Sequence, residues 1–95
     1  MKVIVDFAVY GSLIEFKPFL GNDIKVYQKE FEKWYYDFDQ NGRIIGQRSD
    51  LQYEFFDVYV IIDWIKEVAP ESNPILLEET INFADIDRSL PAMCF

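Results

Sequence analysis

The residues of this sequence that could do chemistry are almost all carboxylates. Asp37/Asp39, Glu78/Glu79 and Asp85/Asp87 stand as close pairs. Paired carboxylates can hydrolyse glycosides or hold a divalent cation. With 17 Asp and Glu among 95 residues, however, a few such pairs arise by chance. The sharpest metal-like run is Asp37-Phe38-Asp39-Gln40-Asn41-Gly42-Arg43-Ile44. It matches the first half of a calcium-binding loop, with alternating oxygen donors, a turn glycine and then an apolar residue. The match then fails: the closing position, where a bidentate Glu belongs, is Arg48, and Ile45 stands where a further oxygen is expected. Asn41-Gly42 is equally a hairpin signal, so the expectation is a turn, with no metal and no cofactor.

The other chemistries lack their parts. The chain has no histidine, which removes Ser-His and Cys-His nucleophile pairs and the commonest general base near neutral pH. Its one cysteine, Cys94, cannot build a thiolate metal cluster, and between Met93 and Phe95 it reads as a small buried hydrophobe. There is no glycine-rich phosphate loop; Gly11, Gly21, Gly42 and Gly46 are scattered at turn positions. No catalytic residue is assigned, and the expected role is not enzymatic.

Charge and composition set the class. A chain of 95 residues with 51% hydrophobic and 18% aromatic residues is expected to form one domain over 1–95, without disulfides or metals. Its net charge of −8 repels phosphate backbones and anionic lipid heads and attracts basic proteins. The same charge also serves plain solubility, and composition does not separate the two. The Val3-Ile4-Val5 run, broken by Asp6, is too short for a signal-peptide core, and a single cysteine suits a reducing compartment. A soluble cytoplasmic protein is expected.

Several elements can be read from the pattern. Alternation over 3–9 predicts a strand, Gly11-Ser12 a turn, and 13–17 a returning strand. Asn22 or Asp23 can cap a helix over 23–34, with Ile24, Tyr27, Phe31, Trp34 and Phe38 on one stripe. A type I′ turn at Asn41-Gly42 would pair strands 35–40 and 43–48, setting Phe38 opposite Ile45 and Asp39 opposite Ile44. Ser49 or Asp50 would cap the main helix, 50–69, whose stripe is Leu51, Phe55, Val58, Ile62, Ile65 and Ala69, and Pro70 stops it. A short strand at 75–77, a helical turn near 82–88 and a terminal strand at 92–95 complete an α+β fold. The expectation is a mostly antiparallel sheet of five to six strands with one main helix (50–69) and a second, shorter one (23–34).

The main helix also carries a possible contact surface. Beyond its core stripe it holds Tyr53, Phe56, Tyr59, Val60, Ile61, Trp64 and Val68, with Asp50, Glu54, Asp57, Asp63 and Glu67 against the single base Lys66. On a helical wheel Tyr53, Val60 and Trp64 lie together, with Asp57 on one edge and Glu67 on the other. Aromatics supply hot-spot area and carboxylates receive Lys and Arg, so Tyr53, Asp57, Val60, Asp63, Trp64 and Glu67 form a candidate site for a basic partner. Alternatively the helix is covered on both faces by its own protein. A buried Trp64 would favour that reading; a partly exposed ring beside Asp57 or Glu67 would favour the interface.

In size, acidity, lack of cysteine pairing, the acidic and aromatic segment 50–69 and the ending 86–95, the chain resembles the immunity proteins of bacterial contact-dependent and polymorphic toxin systems. The resemblance is one of class and rests on no motif. It implies neutralisation of one toxin domain, often a basic nuclease, by occlusion of its active site or a neighbouring surface. A phage-encoded inhibitor or DNA mimic acting on a host nuclease, or a non-catalytic subunit of a larger complex, are the alternatives; a carboxylate-dependent hydrolase would need two acids converging in a cleft.

Overall fold

The computed structural model describes residues 1–51 and 55–95. The order of elements is β1 (Lys2–Asp6), β2 (Tyr10–Glu15), α1 (Ile24–Tyr35), β3 (Tyr36–Phe38), β4 (Ile44–Gln47), α2 (Val58–Val68), β5 (Ile75–Asn82) and β6 (Ala92–Cys94). The fold is α+β. Its strands do not form one antiparallel sheet: among the described residues there is a four-stranded sheet in the order β5-β2-β1-β6 and a separate β3-β4 pair. β6 runs parallel to β1, with Ile4 beside Ala92 and Asp6 beside Cys94, so the larger sheet is mixed.

The first reversal comes earlier than Gly11-Ser12. The Asp6 carboxylate accepts the Ala8 N–H at 2.8 Å, Val9 N–H donates to the Phe7 carbonyl at 2.9 Å, and Ala8 sits at φ +72°. Gly11 and Ser12 therefore lie inside β2. Gly11 is there for space: a Cβ on it would come within 2.9 Å of the Ile86 side chain.

One face of the sheet carries both helices. Val3, Val5, Ile14, Phe16 and Met93 from the strands meet Tyr27, Phe31 and Tyr35 of α1 and Val60, Ile61, Trp64 and Ile65 of α2. Burial of these side chains is the main stabilising term, at about 25 cal/mol per Å² of apolar surface. Ring contacts run continuously from Phe16 through Phe19, Trp64 and Phe31 to Phe56, Phe95 and Phe7. Much of the high aromatic content is thus core.

The other face is covered by the connection 83–91, which opens with a 3₁₀ turn and carries the chain from β5 to β6. Ile86 packs there against Gly11, and Arg88 meets Asp6 at 2.8 Å. β5 extends to Asn82, five residues beyond the expected short strand.

Three further expectations need correction. α2 starts at Val58, not near Asp50: Asp57 is extended (φ −138°, ψ −175°) and its carboxylate caps the helix by accepting the Tyr59 N–H at 3.0 Å. The helix of 12 residues, α1, is therefore the longer of the two, against 11 for α2. The hairpin is not type I′ either, since Gly42 (φ +77°) has positive φ and Asn41 does not. Asp39 organises this turn: its carboxylate accepts the Asn41 and Arg43 N–H groups at 2.9 Å each, and the resulting bulge sets Phe38 opposite Ile44. Finally, Cys94 is exposed, because the alternation of β6 turns Met93 inward.

Candidate functional site

α1 and α2 lie side by side, and the loop after β2 closes over one end of the seam between them. Tyr27 fixes that loop. Its hydroxyl accepts the Phe19 and Leu20 N–H groups at 3.0 Å each and donates to the Gly21 carbonyl. Phe19 and Leu20 are thereby held as one wall of an open cleft of about 530 Å³. Trp34 of α1 and Trp64, Val68 and Ala69 at the end of α2 supply the rest of its apolar lining. The charged lining is Glu30, Lys33 and Glu71, with Glu30 and Lys33 paired at 3.3 Å. The volume lies within the usual range of ligand clefts, about 300–1,000 Å³.

Trp34 is positioned from outside the cleft. Its indole N–H donates to Glu67, and the Arg48 guanidinium lies 4.5 Å from its ring centre. Arg48 in turn pairs with Asp50, donating from Nε at 3.0 Å, and reaches Glu67 at 3.5 Å. The bond to Asp50, first among several, raises the Arg48 pKa and lowers that of Asp50. The end of the β3-β4 hairpin is thus tied to both helices beside the cleft.

No protein-family model, no curated protein and no solved structure matches the chain.

The residues predicted for partner binding do not form one surface. Val60 is fully buried and Trp64 is 2% exposed, its ring packed on Phe19 and Phe31, which is the outcome that favours a helix covered by its own protein; Trp64 reaches the cleft only as part of its lining. Asp57 is the helix cap. Glu67 is exposed and holds Trp34, while Asp63 is exposed and takes part in interactions of its own. Tyr53 lies outside the described residues. Because α2 begins at Val58, with Asp57 as its cap, Asp50 does not share its helical wheel with Val60 and Trp64.

Sequence reasoning missed Phe19, Leu20, Trp34 and Arg48. Trp34 stood on the expected core stripe, yet its indole is only half-buried. Of the acid pairs, Glu78/Glu79 is split and Asp85/Asp87 stays together. Glu78, Asp85 and Asp87 line a groove on the other sheet face with Lys2, whereas Glu79 lies by Tyr59, whose hydroxyl pKa is raised by desolvation and then by that carboxylate. Asp39 is spent on Arg43, at 2.7 Å from its Nε. Among the described residues no group of three or more His, Cys, Asp or Glu is arranged to hold a metal ion. No helix among them is long and apolar enough to cross a membrane.

Proposed function

We propose that this is a small acidic binding protein that captures a basic protein partner, and that the partner is a toxin domain of the nuclease type, which it neutralises as immunity proteins do. The observation that carries the reading is the cleft between α1 and α2, where aromatic and aliphatic walls meet carboxylates. A partner's arginine or lysine fits such a place. Its aliphatic stem lies along Trp34, Phe19 and Val68, and its charged head faces Glu71, with Glu30 reached by displacing its exposed pair with Lys33. The net charge of −8 steers a basic surface toward it and suppresses acidic competitors. Occlusion then follows from chemistry: a nuclease presents Lys and Arg where its substrate's phosphates bind, and carboxylates take that place.

The test uses the tagged full chain as bait, with the captured protein identified and its nuclease activity assayed with and without the bait. The expected capture is a basic protein whose activity falls in proportion to complex formed. Affinity should drop at least tenfold as salt rises from about 50 to about 500 mM, because exposed charge pairs are screened. Trp34→Ala should cost ~2 kcal/mol or more of binding, as a central aromatic contact does. Binding indifferent to salt, or a captured protein that is acidic, would sink the reading.

A further inference from the structure

The two edges of the large sheet are treated differently. At one end, β6 is closed by a side chain: Gln28 of α1 donates from Nε2 to the Cys94 carbonyl at 2.8 Å, and its Oε1 accepts the Cys94 N–H at 3.0 Å. The amide makes the pair of bonds that a neighbouring strand would make. At the other end stands β5, eight residues long and mostly exposed, paired with β2 on one side. A strand at a sheet edge turns alternate N–H and C=O groups outward, and long ones are usually blunted or covered. Gln28 does this for β6; β5 is blunted by two register shifts in its pairing with β2 and by charge at Glu78 and Glu79, and it still leaves Ile75 and Leu77 exposed.

We infer that β5 is a docking edge that receives an extended, basic segment of a partner protein as an added strand. This rests on the basic-partner reading and names a surface for it. Main-chain bonds along β5 would supply affinity, and alternate side chains of the added strand would supply selectivity. The charge of the occupant is set at the strand itself: Ile75–Asn82 carries Glu78 and Glu79 and no base, and Asp85 and Asp87 share a groove with Glu78, against one base there, Lys2. A second copy fits poorly. Full-length antiparallel self-pairing of Ile75–Asn82 is centred between Glu78 and Glu79 and sets like charges opposite each other, which is destabilising.

The probe is a peptide of about ten residues alternating Lys and Val, a strand's length. It is compared with a copy N-methylated at every second residue and with an alternating Glu and Val peptide. Amide hydrogen exchange is followed along the full chain. The Lys peptide should slow exchange of outward β5 amides by about tenfold or more, and both control peptides should lose the effect. The exposed double variant E78K/E79K, with its fold checked by circular dichroism, should weaken binding of the Lys peptide about tenfold or more. Peptide bound with protection elsewhere, for example at Trp34, overturns the edge assignment while the basic-partner reading stands. Absence of binding at about 20 mM salt, where surface charges are least screened, also overturns the edge. Capture of the intact partner remains the separate judge of function. Concentration-dependent dimerisation that slows the same β5 amides without peptide overturns the choice of occupant.

Discussion

Asp6 ends β1 with its two carboxylate oxygens on different partners, the Ala8 N–H at 2.8 Å and the Arg88 guanidinium at 2.8 Å. The backbone bond first and the Arg88 bond second hold its pKa below the ordinary 3.8, against the opposing effect of burial. A carboxyl whose pKa is depressed on folding stabilises the protein above the unfolded value, and the contribution is lost as pH falls through the folded one. Asp6→Asn should therefore cost ~1–2 kcal/mol at neutral pH. The gap from the parent should shrink as pH falls below about 4, read from urea melts at a series of pH values. A gap that widens in acid contradicts this account. Next to it, Ala8 is held at φ +72° on an exposed turn. Left-handed backbone costs a residue with a Cβ about 1–2 kcal/mol, and glycine's extra unfolded-state freedom returns about 0.5–1 of that. Ala8→Gly should raise stability by roughly 0.5–1 kcal/mol, a sign opposite to that of most glycine substitutions.

At the scale of elements, what the sequence made legible was whatever depended on local pattern. Tyr27, Phe31 and Tyr35 share the buried face of α1, Asp23 caps it at 3.0 Å, and the apolar run 3–5 marks β1, although Ile4 is as buried as Val3 and Val5 because both faces of that strand are covered. Errors came where two local signals competed. Leu51 and Phe55 continue the stripe of α2 backwards, yet Phe55 is 77% exposed and Phe56 is the ring that packs, on Phe31 and Tyr35. The parallel β1-β6 pairing and the cleft could not be read, because each joins segments far apart in sequence. Phe19, Trp34 and Val68 meet only after the helices have docked. The corrected start of α2 makes a sharp comparison. Asp57→Ala removes the cap and should cost ~1 kcal/mol. Asp50→Ala removes an exposed pair with Arg48, of a kind that solvent screens and that stabilises little, and should shift the melting midpoint less. A larger loss at Asp50 would return the helix start to where the periodicity placed it.

Over the whole molecule, charge acts twice and with opposite sign. The described ion pairs are Glu30–Lys33, Asp39–Arg43, Arg48 with Asp50 and Glu67, and Asp6–Arg88. Most of their charged ends are substantially solvated, and exposed pairs stabilise little. Against them stands the self-repulsion of a net charge of −8 on a body 37 × 30 × 25 Å across. Raising sodium chloride from about 20 mM to about 500 mM shortens the screening length from ~20 Å to ~4 Å. That range spans the distances between like charges but exceeds the contact distances of the pairs. Folding stability should therefore rise with salt over the same range in which affinity for the proposed basic partner is expected to fall. E78K/E79K takes the net charge from −8 to −4 and should roughly halve or more than halve the gain in melting midpoint, since repulsion scales steeply with charge. A chloride salt is the right reagent, because sulfate strengthens apolar burial whatever the charge. A midpoint that falls with salt would mean that the local pairs outweigh the overall repulsion. The surplus of acid would then be a structural device, and its claim to be a lure for a basic partner would be weaker.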